Sequence, residues 1–171
     1  MDSITLGSWT IHYDADATRD AYAAIVASDA KVCSCAECRN FRLAQEQGKA
    51  LPPELLALLQ RFGVSYQYPA EIVSMYPEAG GWRYEGWFHF VGAIVANDLT
   101  MEPESVAGVS GLRYDGDALV WLGAGKNCGI WLTSTRTLLN KVFAELPTVQ
   151  LDFEVDVPWL LAVPDSPVAK G

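Results

Sequence analysis

The chain has 171 residues, 50% of them hydrophobic, enough to bury roughly 70% of its unfolded surface in one domain without a disulfide or a metal. Twelve basic against 21 acidic residues leave a formal charge of −9. Nothing clusters Lys and Arg densely enough to displace counterions, which excludes nucleic acid and anionic membrane as partners and leaves a basic protein partner as the class that fits.

No basic start and apolar core follow Met1. The longest apolar run, residues 87–96, is broken by His89 and covers about half a bilayer. Four cysteines without a secretory signal fit a reducing compartment. The expectation is a single cytoplasmic domain over residues 1–171.

Residues 4–13 read as a strand, with Ile11 and Tyr13 on one face and Thr10, His12 and Asp14 on the other. Asp14, Asp16 and Thr18 then offer N-caps for a helix whose Tyr22, Ile25 and Val26 form its apolar stripe, ending near Ser28-Asp29. A second helix starts near Ala36. Ser34 is its expected N-cap, Glu37 suits the positive end of the dipole, and Gly48 is a natural C′ residue. A third begins at Pro53-Glu54, buries Leu55, Leu56, Leu58, Leu59 and Phe62, and stops at Gly63.

From Glu71 onward the period turns to two. Residues 71–76 and 82–95 read as strands joined around Ala79-Gly80-Gly81, and Asp115-Gly116 is a hairpin signal between flanking apolar runs. A short strand is expected over residues 130–133 and a short helix over 138–146. The last strand alternates Val149, Leu151, Phe153, Val155 and Val157 with Gln150, Asp152, Glu154 and Asp156, the pattern of a strand packed on one face and wet on the other. Helices gathered early and strands late define an α+β fold, a mostly antiparallel sheet with three or four helices packed on one face.

Chemistry concentrates in Cys33-Ser34-Cys35-Ala36-Glu37-Cys38, three of the chain's four cysteines. On a helix starting near Ala36, Cys35 and Cys38 share a face and Cys33 can curl back to the same point. A helix N-terminus favours thiolate, and Lys31, Arg39 and Arg42 add positive charge. Three soft ligands suggest zinc, one donor short of a tetrahedron. His89, Cys128 and His12 are the candidate fourth ligands in that order, because His89 shares a strand face with Trp87 and Val91, and a buried imidazole needs a partner. Four protein ligands would make the site structural, and an open position would make it catalytic.

Cys33-x-Cys35-x-x-Cys38-Arg39-Asn40-Phe41, the Leu51-Pro52-Pro53-Glu54 helix start and Gly86-Trp87-Phe88-His89, in that order, resemble an uncharacterised family of small bacterial proteins. The resemblance covers about residues 31–92 and, more loosely, Pro158-Trp159. A second glycine often precedes the Gly-Trp-aromatic-His run in that family, where this chain has Glu85. The resemblance implies a bacterial origin and pairs the cysteines with His89; it implies no substrate.

Other motifs carry less. Gly123-Ala124-Gly125-Lys126-Asn127 lacks the upstream Gly and following Ser or Thr of a phosphate loop and reads as a tight loop. Asp152, Glu154 and Asp156 read as a solvated face, and Trp82, Tyr84 and Trp87 as core. No serine sits in a nucleophile elbow. The expected function is therefore a zinc-stapled binding or interaction protein of immunity or regulator type, with a metal-dependent or thiol-redox enzyme at the same cysteines as the alternative.

Overall fold

In the computed structural model, which describes residues 1–25, 33–97, 102–106, 109–113, 120–122 and 128–162, the strand expected over residues 4–13 is two. β1 (Asp2–Leu6) and β2 (Trp9–Tyr13) form a hairpin in which Leu6 opposes Trp9 across Gly7-Ser8. The alternation hides this turn because Trp9, Ile11 and Tyr13 keep one buried face straight after it.

Asp14 caps α1 (Ala15–Ala23), its Oδ1 accepting the Ala17 N–H at 2.9 Å. The helix stops before the expected end, and Val26 and Ser28-Asp29 lie outside the described residues. α2 (Ala36–Glu46) and α3 (Pro53–Arg61) end as expected at glycines. In each, the residue after the glycine donates back to the carbonyl five residues earlier (Lys49 to Ala44, Val64 to Leu59), a Schellman stop that needs the left-handed φ of Gly48 (+67°) and Gly63 (+76°).

The remaining elements are β3 (Glu71–Glu78), β4 (Gly81–Asn97), β5 (Glu102–Val106), β6 (Val109–Arg113), β7 (Val120–Leu122), β8 (Cys128–Thr133), a 3-10 turn over Lys141–Phe143, and β9 (Thr148–Pro158). Apart from a two-stranded β5–β6 ribbon, they join β1 and β2 in one antiparallel sheet ordered β1-β2-β4-β9-β8-β7, with β3 also on β4. An α+β fold with an antiparallel sheet and three helices is thus present among the described residues. The Asp115-Gly116 turn and the 123–127 loop lie outside them; β6 pairs with β5 and β7 with β8. The helix expected over 138–146 shrinks to the 3-10 turn, whose N-cap Asn140 accepts from Val142.

β4 is the spine. Its residues 81–87 pair with β3 and 92–97 with β2, which leaves a gap at one edge. α1 closes it: Thr18 Oγ1 accepts the Val91 N–H, the Asp14 N–H donates to Val91 O, and Tyr22 OH donates to His89 O at 3.0 Å. These bonds satisfy strand groups that would otherwise be buried unpaired. The core joins Trp82, Tyr84, Phe88 and Phe90 of β4 to Leu151, Phe153 and Val155 of β9 and Ile130 and Leu132 of β8. α2 enters it through Phe41 against Tyr84, and α3 through Phe62, stacked on Phe90 at 4.4 Å.

The other face of β9 is not the wet surface its alternation suggests. Gln150 and Asp152 are buried. Glu154 and Asp156 are half-buried around Arg83, which reaches Glu154 Oε1 at 3.2 Å and Asp156 Oδ2 at 3.0 Å. Arg83 and His89 of β4 and Thr137 of the segment after β8 supply partners that periodicity within one strand cannot register.

Candidate metal centre

The cysteine segment is built on a helix start. Cys35, not Ser34, is the N-cap. Its backbone is extended (φ −61°, ψ 162°), its carbonyl accepts from Arg39, and its Sγ accepts the Cys38 N–H at 3.4 Å. A sulfur thus fills the place an oxygen usually takes in satisfying the first-turn donors. Arg42, one turn beyond Cys38, donates to Cys33 O at 2.7 Å and holds the incoming residue against the helix.

The result is compact. Cys33 and Cys35 Sγ stand 3.3 Å apart, and all three sulfurs lie within 4.8 Å of one another. Cys33 and Cys35 are exposed and Cys38 is half-buried. The Cys35 backbone N–H and the neighbouring thiols pull the Cys33 thiol down, whereas burial, then its sulfur neighbours, pushes Cys38 well up. Cys35 is raised, first by burial. One thiolate is therefore accommodated and further ones repel it. A divalent cation at the centre would supply the charge that lets all three ionise.

Two residues outside the cluster brace it. Tyr84 OH donates to Glu37 O at 2.8 Å. Asn40, fully buried on α2, donates to Pro158 O at 3.0 Å and accepts from the Leu160 N–H at 2.7 Å. The cysteine turn is thus fastened to β4 and to the chain leaving β9. The sequence marks Tyr84 as core, which it is, and gives Asn40 no role of its own. The available signal was an asparagine in a helix interior, where it is disfavoured unless its amide has work to do.

The structure does not bring the expected fourth ligands to the sulfurs. Among the described residues, Cys33, Cys35 and Cys38 form the group alone. His89 is five residues beyond Tyr84 on β4, so alternation points it to the opposite side of the sheet. There it is 2% exposed, with Nε2 3.3 Å from Gln150 Oε1. Cys128 is a core residue opposite Val155, its thiol pushed up to about 12 by burial. His12 is exposed on β2. The buried imidazole did need a partner, and an amide provides it.

Burial pulls His89 down to about 4 and pushes Asp152 up to about 6. Their effects on stability oppose. Asp152 contributes stability that is present below its ordinary value of 3.8 and lost as pH rises through about 6; His89 contributes stability that is present above 6.5 and lost as pH falls through about 4. Each effect is of order 3 kcal/mol, so the wild type should change little between pH 4 and 6 on their account. Asp152→Asn should unmask a stability that rises with pH across that window, measured by urea unfolding at stepped pH. A variant as flat as the wild type would contradict the shifts.

No protein-family profile, curated protein or solved structure matches the chain. No helix among the described residues is long and apolar enough to cross a membrane.

Proposed function

We propose that Cys33, Cys35 and Cys38 hold a zinc ion as a clasp at the start of α2, in a single-domain bacterial protein of the cytoplasm that works by binding a partner rather than by catalysis. The observation that carries this is the convergence of three sulfurs within 4.8 Å on a capped, braced helix start. A net charge of −9 supports a basic protein partner over nucleic acid or membrane and suits a role of immunity or regulator type. On this reading α2 and α3 share one face of the sheet, where Phe41 meets Tyr84 and Phe62 meets Phe90, while α1 closes the edge of β4. Zinc's fourth position falls to water or to a donor from the partner, since His89 is engaged by Gln150.

The test is elemental analysis of purified protein beside Cys33→Ser, Cys35→Ser and Cys38→Ser. Wild type is expected to carry one zinc per chain and each variant well under half of that, with Tm lower by about 5 °C as the bound ion's stabilisation disappears. His89→Gln should keep its zinc. A metal-free wild type would overturn the proposal.

One observation favours a thiol-redox reading instead. Cys33 Sγ is the most acidified thiol of the three and lies 3.3 Å from Cys35 Sγ. Metal-free protein that forms a reversible Cys33–Cys35 disulfide, each such bond releasing two protons and two electrons to an added oxidant, would carry that reading.

A further inference from the structure

The sheet face turned away from α2 and α3 carries negative charge that the described residues do not balance. Directly opposed residues of antiparallel strands share a face. Trp87 of β4 and Trp131 of β8, both half-buried, therefore flank Asp152 of β9 on this side, and on the next row Glu85 lies opposite Glu154. β3 extends the face, setting Glu71 beside Trp87, Val73 beside Glu85 and Tyr76 beside Arg83. The Arg83 guanidinium is already shared between Glu154 and Asp156. Glu85 has no ion pair among the described residues. Burial, then the Glu154 charge, raises its carboxyl from the ordinary value.

Asp152 is an independent sign of a missing cation. It is 8% exposed, its Oδ1 accepts from Gln150 Nε2 at 2.7 Å, and its Oδ2 is buried with no hydrogen-bond partner. A buried carboxylate oxygen without a donor is costly. With Oδ1 turned back along β9 to Gln150, Oδ2 is turned away from it, to the side of Glu154 and Glu85. Burial and then the Glu85 charge push Asp152 up to about 6.

We infer that this face docks an arginine of a basic protein partner, the guanidinium lying over the Trp87–Trp131 row, donating to Glu85 and setting its charge beside Asp152. No three of these carboxylates converge as metal ligands do; among the described residues the three cysteines alone form such a group. A guanidinium needs no such convergence, since its flat fork of donors reaches separate oxygens while its plane stacks on an indole. Val73 and Tyr76, 40% and 48% exposed, add apolar contact that a lone small cation does not use and a protein does. The inference rests on the basic-partner reading above, and not on the zinc.

Titration of the full chain with N-acetylarginine amide, followed by the indole N–H resonances of Trp87 and Trp131, tests it. Both resonances should shift saturably, with one probe bound per chain. N-acetyllysine amide, of equal charge, should bind about threefold more weakly. Glu85→Gln should weaken the arginine probe about fivefold. Glu46→Gln, which removes the same charge from the exposed end of α2, should leave its affinity unchanged. No saturable shift at the two indoles, equal affinity for the two probes, or equal losses in the two variants would overturn the docking face. Oligoarginine separates this site from the reading it rests on. Binding as tight in Glu85→Gln as in the wild type would overturn the docking face and leave the basic partner standing, and no binding to either chain would sink both.

Discussion

Asn40→Ala is expected to lower the unfolding free energy by about 3 kcal/mol, because it strips two backbone groups of their partner at once. The Pro158 carbonyl loses its donor and the Leu160 N–H loses its acceptor. Asn40 is fully buried, so water does not replace the amide, and each unmet group costs about 1–3 kcal/mol. Asn40→Asp separates the two contributions. It keeps an acceptor for Leu160 but presents a carboxylate oxygen to the Pro158 carbonyl, and should be at least as damaging. The loss reaches the cysteines as well, since Asn40 lies on the helix they open and ties it to the chain leaving β9. Zinc retention in Asn40→Ala should therefore fall faster with temperature than in the wild type. Chemical denaturation with parallel metal release measures both, and a destabilisation below about 1 kcal/mol would show that these groups find other partners.

Gly63→Ala should be the more damaging single methyl. Gly63 holds φ +76° at the end of α3, and a Cβ there would lie 2.2 Å from the Ala15 carbonyl oxygen at the start of α1. The left-handed conformation alone costs a side-chain-bearing residue about 1–3 kcal/mol. The contact is with backbone, so relief requires α1 and α3 to part. That would disturb Phe62, which stacks on Phe90 and meets Tyr13 edge-on at 5.0 Å. A total near 4 kcal/mol is expected. Gly48→Ala is the control. It has the same sign of φ (+67°) with nothing near its Cβ, and should cost about 1–2 kcal/mol. Equal thermal shifts in the two variants would mean that the α1–α3 approach carries no stability.

The contrast between these two glycines shows how far the sequence reaches. Pro53 and Gly63 mark the bounds of α3 because helix starts and stops are local chemistry, and β9 is legible because its alternation continues through Val157. The Gly7-Ser8 turn is not legible, because the same residues satisfy an uninterrupted strand pattern. Gln150 and Asp152 fail for a different reason. Alternation says that they oppose the core face, but not that Thr137, Phe143 and Trp87 gather on that side; the Trp87 indole N–H donates to Thr137 O at 2.9 Å.

The site divides along the same line. Three sulfurs within six residues at a helix start are a local arrangement, and the structure gathers them. His89 belonged to a long-range inference from a need to a partner. The need was real, and a residue directly opposite on β9, Gln150, meets it. A buried polar group announces that it must be satisfied without naming what satisfies it.

The most direct test of the metal clasp is zinc K-edge X-ray absorption on the purified protein. Three sulfur neighbours at about 2.3 Å with one lighter donor near 2.0–2.2 Å is the expected shell, and Cys35→Ser should reduce its sulfur count or lose the zinc signal altogether. A shell of nitrogen and oxygen alone, or a zinc signal unchanged in Cys35→Ser, would contradict the assignment of Cys33, Cys35 and Cys38.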